Sequence, residues 1–142
     1  MIAIDANLLL YAYDAEAREH GRARQWIEET ISTAPAIGIP LVSILAFVRI
    51  ATDRRVTEPA KTTSEAREIV GAWLERDNVS LLQPGPRHWE LFFSLLAESK
   101  SSGPRTTDAH IAALAIEHGA TLYTHDTDFR RFPKLDVHFP LL

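Results

Sequence analysis

Apolar and polar positions alternate along this chain with two periods, and the periods trade places in regular order. Met1–Ile4 is a short apolar run that reads as a strand ending at Asp5, and Leu8–Tyr13 reads as a helical turn. From Arg18 to Ile31 the period becomes helical, with Ala23, Trp26, Ile27 and Ile31 on one face. Ala36–Ile39 reads as a second strand, and Leu41–Thr52 as a helix with Leu41, Ile44, Leu45 and Val48 on one stripe. The polar segment Arg54–Thr63, which contains Pro59, reads as a loop. Ser64 is placed to cap a helix running to about Asp77, with Ile69, Val70, Trp73 and Leu74 inward. Val79–Leu82 is the third strand. Pro84 and Pro86 are expected to open the next helix, whose Trp89, Phe92, Phe93 and Leu96 fall at core spacing.

The stretch Ser99–Arg105 (SKSSGPR) is the most loop-like of the chain. Thr106 or Thr107 then caps a helix from about Asp108 to His118, which Gly119 closes. Thr121–Tyr123 is the fourth strand and Val137–Phe139 a short fifth. Strands alternating with helices specify an α/β fold with a mostly parallel sheet. No internal repeat interrupts the 142 residues, a length suited to one domain spanning residues 1–142.

Composition narrows the chemistry. Cysteine is absent, so disulfides and thiolate metal sites are excluded, and a reducing cytoplasm is the expected compartment. The apolar stretch Ala34–Val48 is shorter than the roughly 20 residues of a membrane span and holds Pro35, Pro40 and Ser43, so no membrane association is expected. The N-terminus lacks a basic segment and meets Asp5, unlike a secretory leader. The formal net charge of −4 means that any nucleic acid must be held by a bound cation and a local arginine patch rather than by overall charge.

Acidic residues then stand out by position. Asp5 follows strand one directly, and Asp126 and Asp128 follow strand four. Asp108 lies in the first turn of the helix that feeds strand four. In a parallel sheet all of these places lie at the carboxyl edge, where such folds bind ligands. Taken singly, each has an ordinary explanation as a cap or turn residue. Taken together they describe one acidic pocket, and clustered carboxylates raise one another's pKa unless a cation sits among them. Oxygen donors without Cys or paired His favour Mg²⁺ or Mn²⁺, and such an ion suits phosphodiester hydrolysis.

The segments IDANLLLYAYD (Ile4–Asp14), TDAHIAALAIEHGATLYTHDTDF (Thr107–Phe129) and the ending RFPKLDVHFPLL resemble PIN domains, in particular VapC toxins of type II toxin–antitoxin pairs. IGIPLVSILAFVRIATDRRV (Ile37–Val56) is similar to one VapC subgroup. The resemblance spans the chain in order. It implies a three-layer α/β/α fold with a sheet of about five strands. It also implies a Mg²⁺- or Mn²⁺-dependent endoribonuclease, a homodimer, and a VapB-type antitoxin as partner. Carried over by position, Asp5, Asp108 and Asp126 are the expected metal ligands, and Asp128 joins them as catalytic, with Asn7 and Thr124 as polar supports.

One position departs from the pattern. Most PIN domains carry a Glu on the second helix, followed by a hydrophobic residue and Arg, whereas here Phe47 precedes Val48 and Arg49. Phe cannot bind a metal. The competing reading is therefore a non-catalytic PIN domain that binds RNA or a protein partner. Arg49, Arg105, Arg130 and Arg131 are the candidates for contact with an RNA backbone. A phosphoacceptor domain would need a Lys after a later strand. A phosphatase with a strand-end Asp nucleophile would want a second Asp where Asn7 stands.

Overall fold

The computed structural model describes residues 1–142. Five strands, β1 (Ile2–Ile4), β2 (Ile37–Pro40), β3 (Val79–Leu82), β4 (Thr121–Tyr123) and β5 (Val137–His138), form one sheet in the order β3-β2-β1-β4-β5. Every pairing is parallel. Six helices surround it: α1 (Ala6–Tyr13), α2 (His20–Thr33), α3 (Leu41–Ala51), α4 (Thr63–Leu74), α5 (His88–Ser99) and α6 (Thr106–Glu117). None is long and apolar enough to cross a membrane.

Side-chain alternation along the strands divides the core in two. Ala3, Leu82 and Leu122 face α5, α6 and the segment Phe129–Leu135, while Ile4, Ile37, Ile39 and Val79 face α1, α2, α3 and Trp73 of α4. This is the expected three-layer α/β/α arrangement, because a parallel sheet must bury both faces. Gly38 makes room for Leu82 of the neighbouring strand, since a Cβ there would stand 2.6 Å from the Leu82 side chain.

The strand order matters most for the site. The chain winds outward from β1 through β2 to β3, then returns to the other side of β1 as β4. Ile4 pairs with Tyr123, so the two strands end level and diverge at the carboxyl edge. That divergence is a topological switch point, where open α/β sheets hold ligands.

Several elements differ from the sequence expectation. Leu8–Tyr13 belongs to a full helix from Ala6. Helix α4 is capped by Thr62 rather than Ser64, because Thr62 and Glu65 form a reciprocal capping box. Pro84 and Pro86 do not open α5. The carboxylate of Glu117 accepts from the N–H groups of Gly85 and Arg87, both at 2.8 Å, and holds that segment as a turn until His88. Helix α6 begins at Thr106 without a side-chain cap. Within the loop-like Ser99–Arg105, a 3₁₀ turn forms at Gly103–Arg105.

Two hydrophobic assignments are corrected as well. Trp89 and Phe93, 65% and 63% exposed, lie outside the core, as does Leu45 at 60%, and Leu41 of α3 and Leu74 of α4 are exposed as well. Periodicity correctly marks a helix in each case but admits two neighbouring stripes. The buried stripe of α3 is Ser43, Ile44, Phe47 and Ala51.

Candidate active site

Asp5 sits where β1 gives way to α1. Its backbone is extended, its N–H donates to the Tyr123 carbonyl, and its Oδ1 accepts from the Ala6 N–H at 2.7 Å. Strand pairing thus fixes its backbone and the helix start fixes its carboxylate. The side chain is buried. Its other oxygen accepts from the Thr124 hydroxyl at 2.8 Å and more weakly from Asn7 Nδ2 at 3.4 Å.

Thr124, fully buried, joins the two strand ends. Its Oγ1 donates to Asp5, and it accepts from Asn7 Nδ2 and from the Asp126 N–H, each at 3.1 Å. Asn7 Oδ1 accepts from the His125 N–H at 3.1 Å. One hydroxyl and one amide therefore lock the THDTD segment against α1, and both Thr124 and Asn7 support Asp5 directly.

Asp108 is the third residue of α6, on the helix turn nearest the carboxyl edge. Asp126 ends the extended segment after β4 and accepts from the Asp128 N–H at 2.9 Å. These carboxylates act on one another's charge. Burial pushes the Asp5 pKa up, the bonds from Thr124 and Ala6 oppose it, and the charges of Asp108 and Asp126 push it up further. Burial also raises Asp108, and the Asp126 charge adds to this, while Arg105 and Arg131 work the other way.

Asp128 is directed elsewhere. One of its oxygens forms a close ion pair with Arg105, and the other faces Arg131 at 4.0 Å. Asp5, Asp108 and Asp126 thus lie close enough to act on one another's charge at the carboxyl edge of the sheet, and Asp128 pairs with arginines beside them. No three acidic or imidazole side chains close on a single point as a ready-made coordination shell. The donor set still suits Mg²⁺ or Mn²⁺, because Mg²⁺ takes one or two carboxylates directly and keeps several waters. Buried, mutually repelling carboxylates are the environment that such a cation relieves.

Phe47 does not reach this pocket. It is fully buried among Trp73 and Tyr13, at ring-centroid distances of 4.8 and 5.9 Å. Of the candidate arginines, Arg49 is exposed on α3, and Arg130 lies over the Phe139 ring at 4.7 Å. Tyr11 was not anticipated. Burial raises its pKa, and the charges of Glu19, Asp126 and Asp5 add to that. Its ring meets His125 edge-on at 5.6 Å. The clue in the sequence was its spacing, one helical turn after Asn7 on the same face.

The PIN-domain family model matches residues 2–135. Ribonuclease VapC33 of Mycobacterium tuberculosis is 39% identical over 141 residues, covering 99% of each chain. Ribonuclease VapC43 of the same species is 35% identical, covering 99% of this chain and 96% of its own. Among solved structures, a chain of a toxin–antitoxin complex from Klebsiella pneumoniae superposes with a TM-score of 0.65 at 22% identity, covering 99% of this chain and 98% of that one.

Proposed function

The chain belongs to the PIN-domain family, among its VapC members, and from that premise we propose that it is the toxin of a toxin–antitoxin pair, a ribonuclease that hydrolyses RNA phosphodiesters with the help of Mg²⁺ or Mn²⁺. The observation that supports the reading most is that Asp5, Asp108 and Asp126 flank elements at the carboxyl edge beside the switch point of the sheet, with burial and neighbouring charge disfavouring the anions of Asp5 and Asp108. The full-length similarity to proteins named VapC ribonucleases supports the RNA-cleaving activity.

In this reading Asp5, Asp108 and Asp126 hold the cation. Bound there, it would offset charge on a phosphoryl oxygen and lower the pKa of water toward neutrality. The protein's own part is arrangement. Thr124 and Asn7 keep the Asp5 carboxylate in one orientation, which preserves a ligand's geometry and basicity. The helix α6 N-terminus offsets part of the Asp108 charge. Burial of Asp5 removes competing water and strengthens every electrostatic interaction in the pocket. The burial of Phe47 in the core removes it from this chemistry, so the pocket must work without a carboxylate from α3.

The partner follows from the same family placement. A VapB-type antitoxin is proposed, its tail placing an Arg or Lys among the aspartates, and the toxin is proposed to be a homodimer in the cytoplasm. The test is twofold. Calorimetric titration of Mn²⁺ should show binding to the wild type and none to Asp5→Asn. Purified protein should cleave a cellular RNA pool with Mn²⁺ and stop on addition of EDTA, and Asp108→Asn should not cleave it. Wild-type protein that binds RNA but cleaves none under either metal would favour the non-catalytic binding module instead.

A further inference from the structure

The rim of the pocket holds two arginines that the cation-binding carboxylates leave unexplained. Arg105 ends the 3₁₀ turn Gly103–Arg105 and stands at the cap position of α6, three residues before Asp108. Gly103 at φ +54° and the following Pro104 turn the chain there, a left-handed conformation that suits glycine. Arg105 Nη1 donates to Asp128 Oδ2. Arg131 Nε donates to the Asp128 backbone carbonyl at 3.0 Å, with its Nη2 4.0 Å from Oδ1. Asp128 therefore ties two guanidinium groups together, one from the α6 entry and one from the segment after β4.

A half-exposed ion pair such as this contributes little to stability. Its effect is on position, since it removes much of the freedom of a long side chain. A guanidinium offers five N–H donors in a planar fork, and the contact with Asp128 uses one Nη1–H, so donors remain for a second anion. The chain carries a net charge of −4 and the pocket is lined with aspartates, so an incoming phosphate meets repulsion unless a cation stands at that spot. Arg130 is committed to the Phe139 ring.

We propose that Arg105 seats the substrate phosphate at this pocket and that Asp128 is its positioning residue, holding the guanidinium at the rim beside Arg131 rather than acting as a metal ligand. This rests on the pocket being the RNA site.

The test is a double-mutant cycle on the full chain, comparing wild type, R105A, D128N and R105A/D128N. A fluorescein-labelled mixed-sequence single-stranded RNA is titrated by anisotropy in EDTA across a salt series, and KM and kcat for its cleavage are measured with Mn²⁺. R105A should weaken binding about tenfold, as loss of a charged hydrogen-bonding pair does. It should also lower the slope of log K against log salt by about 0.7, the value for one lost contact on a single strand. KM should rise more than kcat falls. Arg105→Lys should recover the salt slope and only part of the affinity. D128N should show most of the R105A loss alone and add nothing in the R105A background.

Unchanged affinity and slope in R105A would overturn the proposal, as would a D128N effect of full size in the R105A background, or no RNA binding by wild type. Arg105→Gln, which keeps part of the aliphatic stem and removes the charge, replaces R105A if that variant fails to fold. Arg105-dependent binding without cleavage by wild type would sink the nuclease reading and leave the phosphate seat standing. Cleavage with an unchanged KM in R105A would do the reverse.

Discussion

The family resemblance sets Phe47 against an expected Glu, and its surroundings set a measurable cost for removing it. The ring is fully buried against Trp73 and Tyr13, at the floor of a surface cleft that Leu10, Val56 and Lys61 also line. Truncation to Ala leaves roughly 100 Å³ of new void, and at about 24 cal/mol per Å³ that alone is ~2.4 kcal/mol before the lost transfer energy. The two edge-on aromatic contacts contribute about 0.5–1.5 kcal/mol each to what is lost. The expected loss for Phe47→Ala is about 4 kcal/mol, inside the usual range for such truncations.

Phe47→Leu should cost less, about 1.5 kcal/mol. Phe47→Glu should cost at least as much as Ala, because its carboxyl must be buried without a prepared partner or stay protonated. Urea unfolding followed by far-UV circular dichroism, in EDTA, gives all three values. The reasoning fails if Phe47→Glu stays within about 1 kcal/mol of wild type and also binds Mn²⁺ more tightly. That result would place the side chain in the acidic pocket and restore the family's usual carboxylate.

Other expectations follow from the same structure. Thr124→Val keeps the shape but leaves Asp5 Oδ2 and the Asp126 N–H without their shared partner; it should lose about 1–3 kcal/mol of stability and weaken Mn²⁺ binding by about 10-fold or more, read by calorimetry. His88 is buried beside His110, and burial depresses its pKa against the opposing charge of Glu117. A base with a depressed folded pKa leaves stability intact above its unfolded value, about 6.5, and stability falls as pH drops below it. Thermal melts between pH 7.5 and pH 5, values chosen to bracket that transition at about 6.5, should therefore fall more steeply for wild type than for His88→Leu. Trp89→Ser and Phe93→Ser, on the exposed side of α5, should each change unfolding free energy by less than about 0.5 kcal/mol; a loss near 3 kcal/mol would return these rings to the core.

The element pattern and the acidic positions were legible in the sequence because both are local. A strand must end somewhere, and an Asp directly after β1 or β4 lies at the carboxyl edge of a parallel sheet whatever the strand order. Asp108 was legible for the same reason, since a crossover helix starts at that edge. Composition excluded thiolate chemistry, and the family pattern marked the departure at Phe47. Tertiary structure alone decided the rest. Periodicity shows that α3 and α5 each have a buried stripe, but which of two adjacent stripes is buried depends on what packs there, so Leu45, Trp89 and Phe93 were misplaced and Phe47 was left open. The capping of α4 by Thr62 and the held turn at Pro84–Arg87 depend on carboxylates whose hydrogen bonds are made only in the fold. Asp126 and Asp128 are two residues apart and read alike in sequence. Both act on the charge of Asp108, but only Asp128 pairs with Arg105, a partner 23 positions away, because the folded backbone alone determines which cation each carboxylate reaches.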